Sequence, residues 1–207
     1  MTGFTRQPSR LPGRLGALLC LATLGAGTSV NAHESAAPWD LCRNAISKVN
    51  AGGEVPEYLL TAIAQVESGR WRKASGEKHA WPWTVSAAGH GRYLPNKAAA
   101  LAEIKSLRAR GISSIDVGCM QINLRQHPKA FENMEAALDP GRNVAYAAKL
   151  LRGLRKNRGS WIRAVGYYHS STPTLNGPYR IKVFRALFTE RRRAKKARRA
   201  ASQQVKF

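Results

Sequence analysis

The chain predicts a mainly α domain with one small β-hairpin or irregular lobe. Three observations carry this. Helical apolar stripes with caps recur along most of the 207 residues. A Gly-, Pro- and aromatic-rich stretch, Trp71–Pro95, has no helical period and breaks the pattern once. The length suits a single core of ordinary size, and no internal repeat is present.

The elements follow in order. Pro38 to Val49 reads as an entry helix with Leu41, Ala45 and Ile46 on one face. Pro56 to Gly69 reads as a second helix, with Pro56 in the first turn and Gly69 as its stop. Trp81–Val85 and Arg92–Leu94 are expected to form a short hairpin around Gly89 and Gly91. Asn96 caps a helix to Arg110 that ends at Gly111. Ile112 to Asn123, with a tight Gly118, reads as a strand followed by a turn or a helix start. Asp139-Pro140 opens a helix with Val144, Ala147, Ala148, Leu151 and Leu154 on one side. Ser160 caps another helix, Trp161 to about Ser170. The last helix is expected to begin near Pro178, to carry Ile181, Phe184, Leu187 and Phe188, and to run into a basic tail.

The second helix holds the chemically informative residue. Leu60, Ile63, Ala64 and Glu67 share one stripe, widened by Leu59, Ala62 and Val66. Glu67 thus ends an apolar stripe in the last turn, where the helix dipole is negative. Burial and dipole both disfavour a carboxylate, so its pKa is expected to rise. A carboxylic acid still protonated near neutral pH is what a general acid requires. The alternative is a Glu67 that curls out to solvent and has no role.

The first 32 residues read as a signal peptide. Arg6, Arg10 and Arg14 precede an apolar run from Leu15 to Ala26, and Val30-Asn31-Ala32 is a small-residue cleavage pattern. This predicts a periplasmic protein with no stable membrane span after cleavage; an uncleaved anchor is the alternative. Cleavage leaves Cys42 and Cys119, and two cysteines in an exported protein suggest one disulfide rather than two buried thiols. Closing that loop is worth about 4 kcal/mol in the chain-entropy model. The resulting organisation is signal peptide 1–32, helical domain 33–188 and basic tail 189–207.

Formal net charge is +22 with a sequence pI of about 11.0, and loss of the three leader arginines still leaves +19. Such a charge favours a polyanionic partner. Export argues against nucleic acid and for an acidic wall polymer or anionic membrane surface. Eight Lys/Arg and no acids lie between Arg191 and Phe207. They read as a solvated, frayed helix end or as extra electrostatic affinity for the wall or membrane. His33, His79, His90, His127 and His169 make no metal-ligand spacing, and no metal or other cofactor is expected. Trp81, Trp83 and Tyr93 read as core filling or as sugar-stacking platforms, and Arg92, Lys97, Arg108 and Arg125 as surface charge or carboxylate contacts.

Three segments then line up: Glu67-Ser68-Gly69; Ser114-Ile115-Asp116-Val117-Gly118-Cys119-Met120-Gln121-Ile122-Asn123; and Ala164-Val165-Gly166-Tyr167-Tyr168-His169. In this order they resemble the lysozyme-like lytic transglycosylases, which carry Glu-Ser, Gly-Leu-Met-Gln and Ala-x-x-Tyr-Asn. The resemblance spans roughly Leu41 to Val183 and looks closest to the small enzymes of secretion, conjugation and pilus machines. Cys119 stands in place of Leu, His169 in place of Asn, and Ser171 where Gly is usual.

The resemblance implies a goose-lysozyme or SLT-type fold acting on peptidoglycan glycan strands. It implies cleavage of the MurNAc-GlcNAc β-1,4 bond with 1,6-anhydro-MurNAc formation, Glu67 being the single acid/base. Ser68, Met120, Gln121, Asn123 and Tyr168 would contact substrate or shape the cleft; Tyr168 would hold Glu67 and Ser68 would fix the loop after it. Asp116 is a possible second carboxylate. The alternatives are a muramidase using Glu67 and Asp116 to add water, and a non-catalytic basic wall-binding protein.

Overall fold

The computed structural model describes residues 37–204, so the signal-peptide reading of residues 1–32 lies outside the described residues. Helix α1, Pro38–Asn50, starts on proline with Asp40 in its first turn and Lys48 in its last, both favourable to the dipole. It buries Cys42, Ala45 and Ile46. Helix α2, Leu59–Ser68, begins a turn later than expected. Tyr58 takes a left-handed backbone (φ 68°), and Leu59 N–H donates to the Pro56 carbonyl in a turn outside the helix. Leu59, Leu60, Ala62, Ile63 and Ala64 are all buried, which makes α2 the central helix.

The chain leaves α2 directly into strand β1, Gly69–Arg72, which pairs antiparallel with β2, Glu77–Ala80. A Cβ at position 69 would lie 2.1 Å from the Gln65 carbonyl oxygen, so only glycine allows this exit. This first hairpin was not legible, because Gly-Arg-Trp-Arg and Glu-Lys-His-Ala do not alternate apolar with polar. The expected hairpin is present with shifted strands, β3, Thr84–Ala87, and β4, His90–Tyr93, so that Trp81, Trp83 and Leu94 lie outside it and Gly91 sits within β4 opposite Ser86. Ala88 and Gly89 turn it with φ of 50° and 80°, the sign a two-residue hairpin turn needs. Strands β5, Ile115–Val117, and β6, Ile122–Asn123, complete a four-stranded sheet in the order β4-β3-β5-β6.

Helix α3, Lys97–Ala109, is capped by Asn96, whose side chain accepts from Ala99 N–H. It packs Ala100, Ile104 and Leu107 on Val85, Ile115 and Val117 of the sheet, with Leu138 closing this smaller core. After the short α4, Met134–Ala137, come α5, Pro140–Arg158, and α6, Trp161–His169, capped by Asp139 and Ser160 as anticipated. The larger core surrounds α2: Leu60, Ile63, Met120, Val144, Ala148, Leu151, Val165 and Val183.

The last helix, α7, corrects one expectation. It runs from Pro173 to Gln204 with Pro178 inside it, rather than starting there. Proline in a helix removes one backbone donor. Here the carbonyl left without it belongs to Thr174, an exposed residue near the start of the helix, and the helix continues through Pro178. The buried stripe of α7 is Tyr179, Val183 and Leu187; Ile181 and Phe188 are 61% and 57% exposed. The helix passes through residue 188 unbroken, so the basic segment is its continuation. Among the described residues, no helix is long and apolar enough to cross a membrane.

Candidate active site

Glu67 occupies the last turn of α2 and is partly buried. Its side chain meets α7: the Tyr179 hydroxyl donates to Oε1 at 2.5 Å. Burial pushes the Glu67 carboxyl from its usual 4.5 to about 7; the Tyr179 hydrogen bond opposes this and the charge of Asp116 reinforces it. The sequence argument for a protonated acid at this position therefore has a physical counterpart in the fold.

Asp116 sits at the centre of β5, opposite Ser86 on β3 and Asn123 on β6, so these three form one polar row across the sheet. Asn123 Nδ2 donates to Asp116 Oδ1 at 2.9 Å and to Ser114 Oγ at 3.0 Å. Burial raises the Asp116 pKa, while the Asn123 hydrogen bond and His169 hold it down. His169, at the end of α6, stacks on the Tyr179 ring (4.4 Å between centroids, 5° between planes). Burial and then Lys182 lower the His169 pKa, so the ring favours its neutral form.

Tyr168 does not hold Glu67. Its hydroxyl donates to the Met120 carbonyl at 2.7 Å, and Tyr179 takes the position at the acid. Ser68 and Met120 are fully buried and offer no surface to substrate. Ser68 Oγ donates to the Cys119 carbonyl at 2.7 Å and the Ala64 carbonyl at 3.2 Å, which fixes the helix end after the acid. Adjacent residues of a helix point about 100° apart; with Glu67 turned to the site, Ser68 turns to the core.

Gln121 is half-buried with φ 47°. Its Oε1 accepts from Ser86 Oγ at 2.6 Å, and its Nε2 donates to the Thr84 and Gly118 carbonyls at 3.1 and 3.0 Å. It braces the sheet beside Asp116. Asn123 Oδ1 accepts from the backbone N–H groups of Arg125 and Gln126, so both ends of this amide serve the local frame. Trp81 is buried and donates to the Leu94 carbonyl, whereas Tyr93 is 46% exposed. Arg92 pairs with Glu103.

The frame has a buried hub that the sequence did not single out. Asn143 on α5 accepts from Met120 N–H and donates to the Val117 and Ala137 carbonyls. Gly118, at φ 80°, lies so close that a Cβ there would meet Asn143 Nδ2 at 2.5 Å. Cys42 and Cys119 form a disulfide that ties α1 to the same segment. Tyr179 was also missed. It opens the stripe Tyr179, Val183, Leu187 at helical spacing, the same signal of a polar group on a buried face that singled out Glu67.

A mainly helical domain with an acid at the end of its central helix, facing a small antiparallel sheet that bears a second carboxyl, has the architecture of a lysozyme-like glycan-cleaving enzyme. Residues 44–178 match the family described as Transglycosylase SLT domain, and the chain belongs to that family. It is a lytic-transglycosylase-type enzyme whose substrate is peptidoglycan. Comparison with curated proteins and with solved structures gives no match. The matched span holds Glu67, Asp116 and Tyr168 and stops one residue before Tyr179.

Proposed function

We propose that Glu67 is the single acid/base of this enzyme, which cleaves the MurNAc-GlcNAc β-1,4 bond and leaves 1,6-anhydro-MurNAc. The observation that carries the reading is the Glu67 carboxyl itself, partly buried, bonded to Tyr179 and raised to about 7. Half the molecules then hold the proton at neutral pH, and the group switches readily between acid and base. Tyr179 occupies Oε1. The other oxygen carries the proton to the glycosidic oxygen as the C1–O bond breaks. The carboxylate so formed takes the proton of the muramoyl C6 hydroxyl, O6 bonds to C1, and no water is consumed. The Tyr179 hydrogen bond favours the carboxylate form and supports this second half. Gln121 and Asn123 act as positioning residues through Ser86 and Asp116.

A second reading has one observation in its favour. Asp116 lies near enough for its charge to raise the Glu67 pKa. Two neighbouring carboxyls are the equipment of a retaining muramidase. Against this, Asp116 is held by Asn123 and itself biased toward protonation by burial, which weakens it as a nucleophile. Digestion of purified sacculi, with the fragments weighed, tests the proposal. Anhydro ends that vanish in Glu67→Gln and persist in Asp116→Asn support it. Reducing ends that vanish in both variants support the muramidase. Sacculi bound but left intact support a wall-binding protein.

The periplasmic setting is part of the proposal. It rests on the basic, apolar and small-residue succession of residues 1–32 and on the Cys42–Cys119 disulfide, a bond that persists in oxidising compartments. Service to a secretion, conjugation, pilus or flagellar apparatus rests on the segment Ser114-x-Asp116-x-Gly118-x-Met120-Gln121-Ile122-Asn123 alone. Conversion of cells to spheroplasts tests the periplasmic setting: activity released to the medium, or lost from the spheroplasts on external protease treatment, supports a site outside the inner membrane, and activity kept inside protease-treated spheroplasts refutes it.

A further inference from the structure

We infer that the outward face of α7 is a docking surface for an anionic lipid bilayer. Positions 181, 185, 188, 192, 195 and 199 recur at alternating steps of four and three and so form one stripe along the helix. They are Ile181, Arg185, Phe188, Arg192, Lys195 and Arg199, all exposed. The stripe is roughly 27 Å long at helical rise. Half-buried Phe184 widens it, so that Ile181, Phe184 and Phe188 line a shallow groove rimmed by Arg185, Arg192 and Lys195.

Two features of this face act together. First, its cations are unpaired. None of Arg185, Arg192, Lys195 and Arg199 has an ion-pair partner among the described residues. Arg193 and Arg198, on other sides of the same helix, pair with Glu190 and Glu77, and with Glu57. Glu190, the sole acid of α7, points to the opposite side, where it also accepts from Gln65. Second, large apolar side chains share the stripe with those cations. An acidic glycan would satisfy Arg192 and Lys195 but offers no apolar phase to Ile181 and Phe188. A second copy of this chain would set like charges against each other. The boundary between headgroups and acyl chains accommodates both kinds of side chain, the apolar ones below the phosphates and the cations among them.

The opposite side of α7 carries Tyr179, which bonds Glu67. A bilayer on the outer stripe therefore leaves the Glu67 side of the helix turned away from the lipid, toward a glycan layer. The binding itself does not depend on the catalytic proposal, so each can fail alone.

The test is vesicle sedimentation of the full chain with phosphatidylglycerol-containing and with pure phosphatidylcholine vesicles. Any contribution of residues 1–36 is the same in every variant, so differences report the stripe. Wild type is expected to prefer the anionic vesicles, with binding that weakens as salt rises. Each cation removed should weaken it about fivefold, and Arg192→Ala with Lys195→Ala and Arg199→Ala together on the order of a hundredfold. Phe188→Ser should cost about tenfold. Sacculus digestion by the variants verifies the fold and should be unchanged. The inference is overturned if the variants bind anionic vesicles as wild type does. It is equally overturned if the cations matter only for pelleting with sacculi while Phe188→Ser has no effect, or if only an acidic protein competes.

Discussion

Replacing Glu67 with Gln should stabilise the protein, and only above acid pH. The native carboxyl has a pKa of about 7 against a usual 4.5. A carboxyl whose folded pKa is raised makes the folded state the tighter proton binder. Below about 4.5 both states are protonated and burial of the neutral acid carries no electrostatic penalty. Between 4.5 and 7 the unfolded chain ionises while the native group does not, and stability falls by about 1.4 kcal/mol per pH unit. Above 7 the full penalty is present, about 3 kcal/mol, and no longer changes. Gln has the same shape, cannot ionise, and keeps an oxygen to accept from Tyr179. Glu67→Gln should therefore match wild type near pH 4 and exceed it by about 3 kcal/mol at pH 8. For a domain of this size that corresponds to roughly 6–12 °C in Tm. Urea unfolding of both proteins at several pH values, with the disulfide intact, measures the difference directly. Parallel stability curves across pH 4 to 8 would refute the reasoning, because the carboxyl would then be ionised at no cost and could not hold a proton for a sugar oxygen.

Three further outcomes follow from the same geometry. Tyr179→Phe removes a hydrogen bond that lowers the Glu67 pKa; the alkaline limb of the pH–rate profile should move up by about one unit while the maximal rate falls, whereas a purely structural tyrosine would leave the limb in place. Cys42→Ala with Cys119→Ala opens a loop spanning a sequence separation of 77 and should cost about 4 kcal/mol of unfolding free energy in denaturant titration. Asn143→Ala leaves Met120 N–H and the Val117 and Ala137 carbonyls without their partner, and calorimetry should find the domain at least ~3 kcal/mol less stable.

The fold was legible where local rules decide. Asn96, Asp139 and Ser160 each accept the backbone N–H that an N-cap should, and the position of Glu67 on a buried stripe required only the helical period. What failed depends on which faces meet. Tyr168 and Tyr179 are both tyrosines near helix ends, and periodicity alone does not say which helix lies against α2. The motif pointed to Tyr168, and the packing of α7 on α2 gave the acid to Tyr179. Composition does not separate the faces of α7 either: Ile181 and Phe188 are as apolar as Val183 and Leu187, yet the first two face solvent and the last two the core.

The buried motif residues fix the acid's surroundings through the backbone, while the carboxyl itself is held by the Tyr179 hydroxyl. In the segment Gly118–Gln121, side chains from three helices and from the segment itself bind consecutive backbone groups. Gln121 itself holds the Gly118 carbonyl, Ser68 of α2 holds the Cys119 carbonyl, and Asn143 of α5 and Tyr168 of α6 hold the Met120 N–H and carbonyl. The disulfide adds α1 at Cys119. That segment is the turn between β5 and β6, the strands that pair Asp116 with Asn123. The residue next to Glu67 and the strand bearing Asp116 are thus fastened to one short turn, so the two carboxyls keep their separation as long as that turn keeps its bonds. Motif positions here specify the relation between the acid and the sheet.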